Sequence, residues 1–264
     1  MIKVQLDSDI SLACQWINKD LCYAGKPILI FLHEGLGSMA QWRDFPEKLS
    51  QQLNLPALVY DRYGHGLSTG LTEPRKNDYL HREAEFFLPA LLKKLNIEQR
   101  KIILIGHSDG ASIALIHAAL FSKNIEAVVA IAPHVIVEKM SLKGIKSAQE
   151  RYLTDESFKK SLEKYHFEHT DRLFRAWSET WLNPGFARWQ ILDLLPRIKA
   201  PVLAIQGQND AYGTEKQLNY IVELTNSSYK KKQLIPQCGH LPHIESPDIL
   251  IEEIMIFLKP ILNL

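Results

Sequence analysis

Short runs of almost unbroken apolar residues recur along the chain, at Ile28 to Leu32, Ala57 to Tyr60, Ile102 to Ile105, Ala127 to Ile131 and Val202 to Ile205. A strand with one wet face alternates apolar and polar positions, whereas a run apolar on both faces fits a covered strand of a parallel sheet. Between these runs lie amphipathic stretches of helical length, among them Tyr79 to Leu95, Ala111 to Phe121 and Ile249 to Leu258. Strands alternating with helices predict an α/β sheet with helices on both faces. The opening differs: Lys3-Val4-Gln5-Leu6 and Ser11 to Trp16 alternate and predict paired strands.

The rhythm breaks from about His134 to Leu195, where three charged, helix-prone segments follow one another: Glu138 to Tyr152, Glu156 to His166 and Asp171 to Leu182. Three of the five tryptophans, Trp177, Trp181 and Trp189, fall here. A crossover between parallel strands is usually far shorter than these roughly 60 residues. A helical insertion over 134–195 is therefore predicted, dividing a core built from 1–133 and 196–264.

Composition narrows the class of partner. The 264 residues are 46% hydrophobic and 23% charged, with 31 basic against 30 acidic side chains. This balance leaves no electrostatic footprint for nucleic acid or an anionic membrane. The run Lys230-Lys231-Lys232 is read as a solvated face or a turn. The first residues lack the apolar run of a signal peptide. No stretch reaches the roughly 20 apolar residues that span a bilayer. Three cysteines, Cys14, Cys22 and Cys238, form no disulfide pattern. A reduced, cytoplasmic protein acting on a small molecule is expected, its oligomeric state unreadable.

The chemistry centres on Gly106-His107-Ser108-Asp109-Gly110. Ile102 to Ile105 runs into this segment as a buried strand, and Ala111 to Ile116 leaves it as an apolar helix, the setting a G-x-S-x-G nucleophile turn requires. Side chains at 106 or 110 would collide with the neighbouring helix or strand. A serine hydroxyl is a weak nucleophile, and needs an oriented base and donors for the developing oxyanion. The alternative for Ser108 is a helix N-cap. His240, in Gln237-Cys238-Gly239-His240-Leu241-Pro242, is the base, with His243 as its competitor. A metal site from Cys238, His240 and His243 lacks a second ligand cluster. Asp210, in the loop after Val202 to Ile205, is the carboxylate that would orient the imidazole. The order Ser108, Asp210, His240 is the one this strand–turn–helix motif carries. The backbone N–H of Asp109 is one oxyanion donor. The second comes from His33-Glu34-Gly35-Leu36-Gly37-Ser38, with Gly35 preferred over Glu34 and Leu36.

Taken together, the oxyanion loop, Tyr60-Asp61-Arg62-Tyr63-Gly64-His65-Gly66-Leu67-Ser68, the elbow, the Asp210 loop and Cys238-Gly239-His240 resemble the α/β-hydrolase superfamily over nearly the whole length. The resemblance implies a mostly parallel eight-stranded sheet with helices on both faces and a helical cap inserted after the strand ending near Ala132. It makes Asp61 to Ser68 a structural turn beside the site. Two departures stand out. Glu34 occupies a place usually held by glycine, and Asp109 sets a carboxylate beside the oxyanion hole, where it would oppose developing negative charge.

A serine nucleophile disfavours the dehalogenases and epoxide hydrolases of this fold, which use aspartate. Hydrolysis of a carboxylic ester or thioester through an acyl-enzyme is the expected reaction. C–C bond hydrolysis of a vinylogous diketone is the alternative; His107, Asp109 and Leu241 depart from the pattern of those enzymes. A non-catalytic small-molecule receptor is the reading from another class. Glu34, His134, Trp177 and Trp181 are expected to line the pocket, with Arg151, Arg172, Arg175 and Arg188 as further candidates. No cofactor motif and no metal are expected, since Gly64-His65-Gly66 is too short for a dinucleotide fingerprint.

Overall fold

The apolar runs become the middle of one eight-stranded sheet in a computed structural model that describes residues 1–263. Its strands are β1 Ile2–Gln5, β2 Ser11–Ile17, β3 Ile28–Leu32, β4 Ala57–Tyr60, β5 Ile102–His107, β6 Ile125–Ile131, β7 Val202–Gly207 and β8 Lys230–Ile235. They lie in the order β1-β2-β4-β3-β5-β6-β7-β8. β2 pairs antiparallel with both β1 and β4, and all other neighbours are parallel. The chain turns one way from β3 to β4 and the other way from β5 to β6. The crevice at the carboxyl ends of β3 and β5 is thus the topological switch point, where open α/β sheets place ligands. Pairing of Leu32 with Gly106 brings the loop after β3 beside the turn after β5.

Alternate residues of each central strand feed two cores. Ile102 and Leu104 face the helix Asp109–Leu120, while Ile103 and Ile105 face the layer that contains Trp42, Phe45 and Ile254. The helix Asp109–Leu120 is buried from Asp109 through Ala119, so it is apolar all round rather than amphipathic.

The stretch from Tyr79 to Lys94 is helical but not uniform: Tyr79–Arg82, a π turn Glu83–Phe87, and Leu88–Lys94. The extra residue of the π turn accompanies a buried Glu83. Between β6 and β7 come the helices Lys139–Thr154, Glu156–His166 and Thr170–Leu182. Asp155 caps the second by accepting N–H bonds from Ser157 and Phe158. Tyr152 of the first stacks on Phe174 of the third at 3.8 Å. Ile145, Leu162, Phe174, Trp177 and Trp181 join the core beneath.

Of the two readings of Lys230, Lys231 and Lys232, the solvated face holds and the turn does not: they begin edge strand β8, with Lys230 and Lys232 exposed. Lysines on an edge discourage pairing with another chain, and they hide the apolar signal of a strand. No helix among the described residues is long and apolar enough to cross a membrane.

Candidate active site

Ser108 sits between β5 and the buried helix with φ +52 and ψ −116, a region that non-glycine residues rarely occupy. The neighbouring glycines make the turn possible. A Cβ on Gly106 would lie 2.2 Å from the Gly110 carbonyl oxygen, and one on Gly110 would lie 2.0 Å from the Leu32 carbonyl oxygen. Backbone stands on both sides, so neither position can yield.

The loop after β8 brings His240 to this turn. Its Nε2 is 3.0 Å from Ser108 Oγ, and its Nδ1–H donates to Asp210 Oδ2 at 2.8 Å. The ring thereby takes the tautomer that leaves Nε2 able to accept a proton. Asp210 also accepts the Tyr212 N–H at 2.8 Å. Burial pushes the Asp210 carboxyl up, but the His240 hydrogen bond and charge and the Tyr212 N–H outweigh it and hold the group below the ordinary aspartate value. His243 does not compete. It is buried against Trp42 with ring centroids 4.8 Å apart. Among the described residues no three His, Cys, Asp or Glu side chains are grouped to hold a metal ion.

Among the described residues, neither the Asp109 N–H nor the Gly35 N–H donates to another protein group. Both residues line the cavity that contains Ser108. Gly35 is fixed by steric need: a Cβ there would lie 2.3 Å from Trp177 Nε1 and 3.1 Å from Asp109 Oδ2.

The Asp109 carboxylate has a definite place. Tyr79 Oη donates to its Oδ2 at 2.7 Å, Trp181 Nε1 donates to Tyr79 Oη at 2.9 Å, and Arg62 Nη2 stands 3.8 Å away. Arg62 is wholly buried, donates to the Glu34 main-chain oxygen at 2.9 Å and approaches Glu83 at 3.9 Å. A fixed cation and a phenol therefore balance the charge that would otherwise oppose an oxyanion. Arg62 and Tyr79 were not legible as site residues. Neither carries a spacing signal, and each reaches Asp109 across 30 or more positions of chain. The turn Asp61 to Ser68 that holds Arg62 is organised by Asp61, whose carboxylate accepts the Met39 N–H at 2.6 Å and the Leu67 N–H at 2.9 Å.

A cavity of about 290 Å³ is lined by Ser108, Asp109, Gly35 and His240. Glu34, His134, Trp177 and Trp181 also line it, together with Gln41, Tyr212 and the apolar side chains Ile145, Ala148, Phe158 and Leu162. His134 packs edge-on to Trp181, and burial brings its imidazole down to about 4, so the ring is neutral at pH 7. The four cap arginines are not among the lining residues. Arg151 pairs with Asp155 at 3.0 Å and Arg172 donates to the Leu71 carbonyl, while Arg175 lines grooves elsewhere.

Known proteins share this framework. A family model described as "Alpha/beta hydrolase family" matches residues 29–253. A provisionally named esterase/lipase of Mycoplasma pneumoniae is 25% identical over 248 residues, covering 88% of this chain and 89% of its own. A thermophilic esterase from Thermogutta terrifontis superposes with a TM-score of 0.70 at 18% identity, covering 99% of this chain and 98% of its own. The 2-hydroxy-6-oxo-6-phenylhexa-2,4-dienoate hydrolase from Rhodococcus sp. strain RHA1 superposes at 0.75 with 14% identity, covering 97% of each. At these identities the two structures share the fold alone.

Proposed function

The chain belongs to the alpha/beta hydrolase family, and from that premise we propose that it is a serine hydrolase of small carboxylic esters or thioesters. The observation that carries the reading is the hydrogen-bonded series Asp210, His240, Ser108, with both imidazole nitrogens in use. In this reading Ser108 Oγ attacks the ester carbonyl while His240 Nε2 takes its proton, and Asp210 stabilises the resulting imidazolium. The main-chain N–H groups of Asp109 and Gly35 receive the oxyanion. His240 then protonates the departing alcohol or thiol, leaving an acyl group on Ser108. Water, deprotonated by the same imidazole, completes the turnover.

Residues 134–195 act as a cap in this scheme. Their helices supply the apolar wall Ile145, Ala148, Phe158 and Leu162, which suits a compact uncharged acyl or alcohol group. The lining residues include no lysine or arginine. This supports an ester over the substrate of a dienoate hydrolase, whose carboxylate would enter the cavity without a counter-charge. The similarity to an esterase/lipase points the same way.

Short-chain p-nitrophenyl esters should be hydrolysed, with Ser108→Ala losing most of the rate and a fluorophosphonate labelling Ser108 in the wild type. A protein that neither turns over esters nor takes the label would be a binder, or would use another chemistry. Activity on a vinylogous diketone without esterase activity would instead favour C–C cleavage.

A further inference from the structure

His107, immediately before Ser108, is wholly buried, and both its ring nitrogens face acceptors. Nε2 is 2.7 Å from the main-chain oxygen of His240, and Nδ1 is 3.3 Å from Glu34 Oε2. A carbonyl oxygen has no proton to give, and an ionised carboxylate only accepts. A neutral imidazole carries one N–H, so one of these contacts would set lone pair against lone pair. A ring that satisfies both carries two protons.

The surroundings agree. Burial opposes ionisation of Glu34, but the hydrogen bond from His107 leads the influences that hold its carboxyl far below the usual range. The other groups near His107 do not compete for the role. The His33 Nε2 accepts the Arg62 N–H at 3.0 Å, which fixes that ring as neutral. The His243 ring, 4.8 Å away, is pushed down to about 3, chiefly by burial. The His240 ring is 5.1 Å away and turns its nitrogens to Asp210 and Ser108. Arg43 acts on His243 from the far side.

We propose that Glu34 and His107 form a second carboxylate–imidazolium pair whose task is to position His240. The Nε2–H of His107 holds the His240 carbonyl, and Glu34 keeps the other proton on the ring. Glu245 grips the same loop from its opposite side, accepting the Gly239 N–H at 2.7 Å and the Leu241 N–H at 3.0 Å. Peptide groups on both sides of His240 are thus anchored, and its Nε2 is delivered to Ser108 without being drawn into the chemistry. This explains why Glu34 replaces a glycine in the oxyanion loop. Both residues are positioning residues, and their consequence for turnover rests on the serine-hydrolase reading above.

Nitrogen-15 NMR of histidine-labelled wild-type protein at neutral pH tests the pair without turnover. Two ring N–H groups are expected for His107, falling to one in Glu34→Gln; a single proton in the wild type overturns the proposal. Kinetics supply the second arm. The amide of His107→Gln reaches the place of Nε2 and keeps a donor for the His240 carbonyl, whereas the amide of His107→Asn reaches only toward Glu34. His107→Asn should lower kcat on the order of 10²-fold, as misplacement of a reacting group does. His107→Gln should fall by clearly less, and KM should stay within a few-fold in both. Equal losses for Gln and Asn, or a rise in KM as large as the fall in kcat, would refute the positioning role. A wild type with no turnover at all would sink the hydrolase reading while leaving the proton count standing.

Discussion

Tyr79→Phe removes the one oxygen atom that links Trp181 to Asp109, and its effect can be worked out in advance. Tyr79 Oη makes two bonds, donating to Asp109 at 2.7 Å and accepting from Trp181 at 2.9 Å. A hydrogen bond to a charged group contributes about 1.5–3 kcal/mol, and an orphaned buried N–H costs about 1–2 kcal/mol. The ring itself stays, with Arg75 over its face at 4.9 Å and Phe186 beside it. Arg62 still stands 3.8 Å from Asp109, so the carboxylate keeps a counter-charge and the full penalty of an isolated buried ion does not arise. The sum is a loss of about 2.5–5 kcal/mol of unfolding free energy. Urea denaturation followed by tryptophan fluorescence measures it. A cycle with Asp109→Asn should show coupling above about 1 kcal/mol. Ester turnover should fall, but by less than the roughly 10²-fold that deleting an oxyanion donor costs, because the Asp109 N–H is loosened rather than lost. A loss below about 1 kcal/mol, additive with Asp109→Asn, would show that the relay from Trp181 to Asp109 holds nothing together.

Two further outcomes are expected. Gly35→Ala would set a Cβ 2.3 Å from Trp177 Nε1 and should cut kcat/KM by about tenfold or more through displacement of the loop or the indole. Trp177→Phe in the same chain should restore part of it, and a Gly35→Ala enzyme with wild-type kinetics would contradict the packing. The second concerns pH. His117 donates Nδ1–H to the Ala84 carbonyl at 2.8 Å, and burial brings its imidazole down to about 4 against that bond. Because the value in the unfolded chain is higher, near 6.5, folding favours the neutral ring. Its stabilisation is complete above that value and lost as pH falls toward about 4. Between pH 7 and pH 4.5 the loss is about 2–3 kcal/mol for this group. Denaturation at both pH values should show a shallower dependence for His117→Gln than for the wild type; equal slopes would refute the assignment.

The strands that are covered on both faces were the most legible elements. Ile28–Leu32 and Ala57–Tyr60 run over the same residues that the apolar pattern marks. Edge strand β8 was hidden because it must stay wet, so its lysines read as a solvated face or a turn. Ser108, Asp210 and His240 could be nominated because each lies on a glycine-bearing loop after a strand, where spacing carries information. Arg62 and Tyr79 could not. Their role arises from a contact made across the fold, between a turn, a helix and Asp109. The arginines of residues 134–195 could be named only as candidates, because a long side chain finds the nearest carboxylate or carbonyl, and for Arg151 and Arg172 those partners lie outside the cavity.

His166 belongs to the helix Glu156–His166, yet its ring bonds only to core loops. Nδ1 accepts the Gly66 N–H at 3.0 Å and Nε2 donates to the Leu36 carbonyl at 2.9 Å. Trp181, from the next helix, ends on Tyr79 in the same manner. Substrate range in such a molecule would be altered most simply by grafting foreign helices between β6 and β7. Here a graft that brought only helices would leave the Leu36 carbonyl and the Gly66 N–H without their imidazole partner and take from the Tyr79 hydroxyl the N–H it accepts. The portable unit is therefore three helices plus the sockets that receive them, and a chimaera should be drawn along that seam.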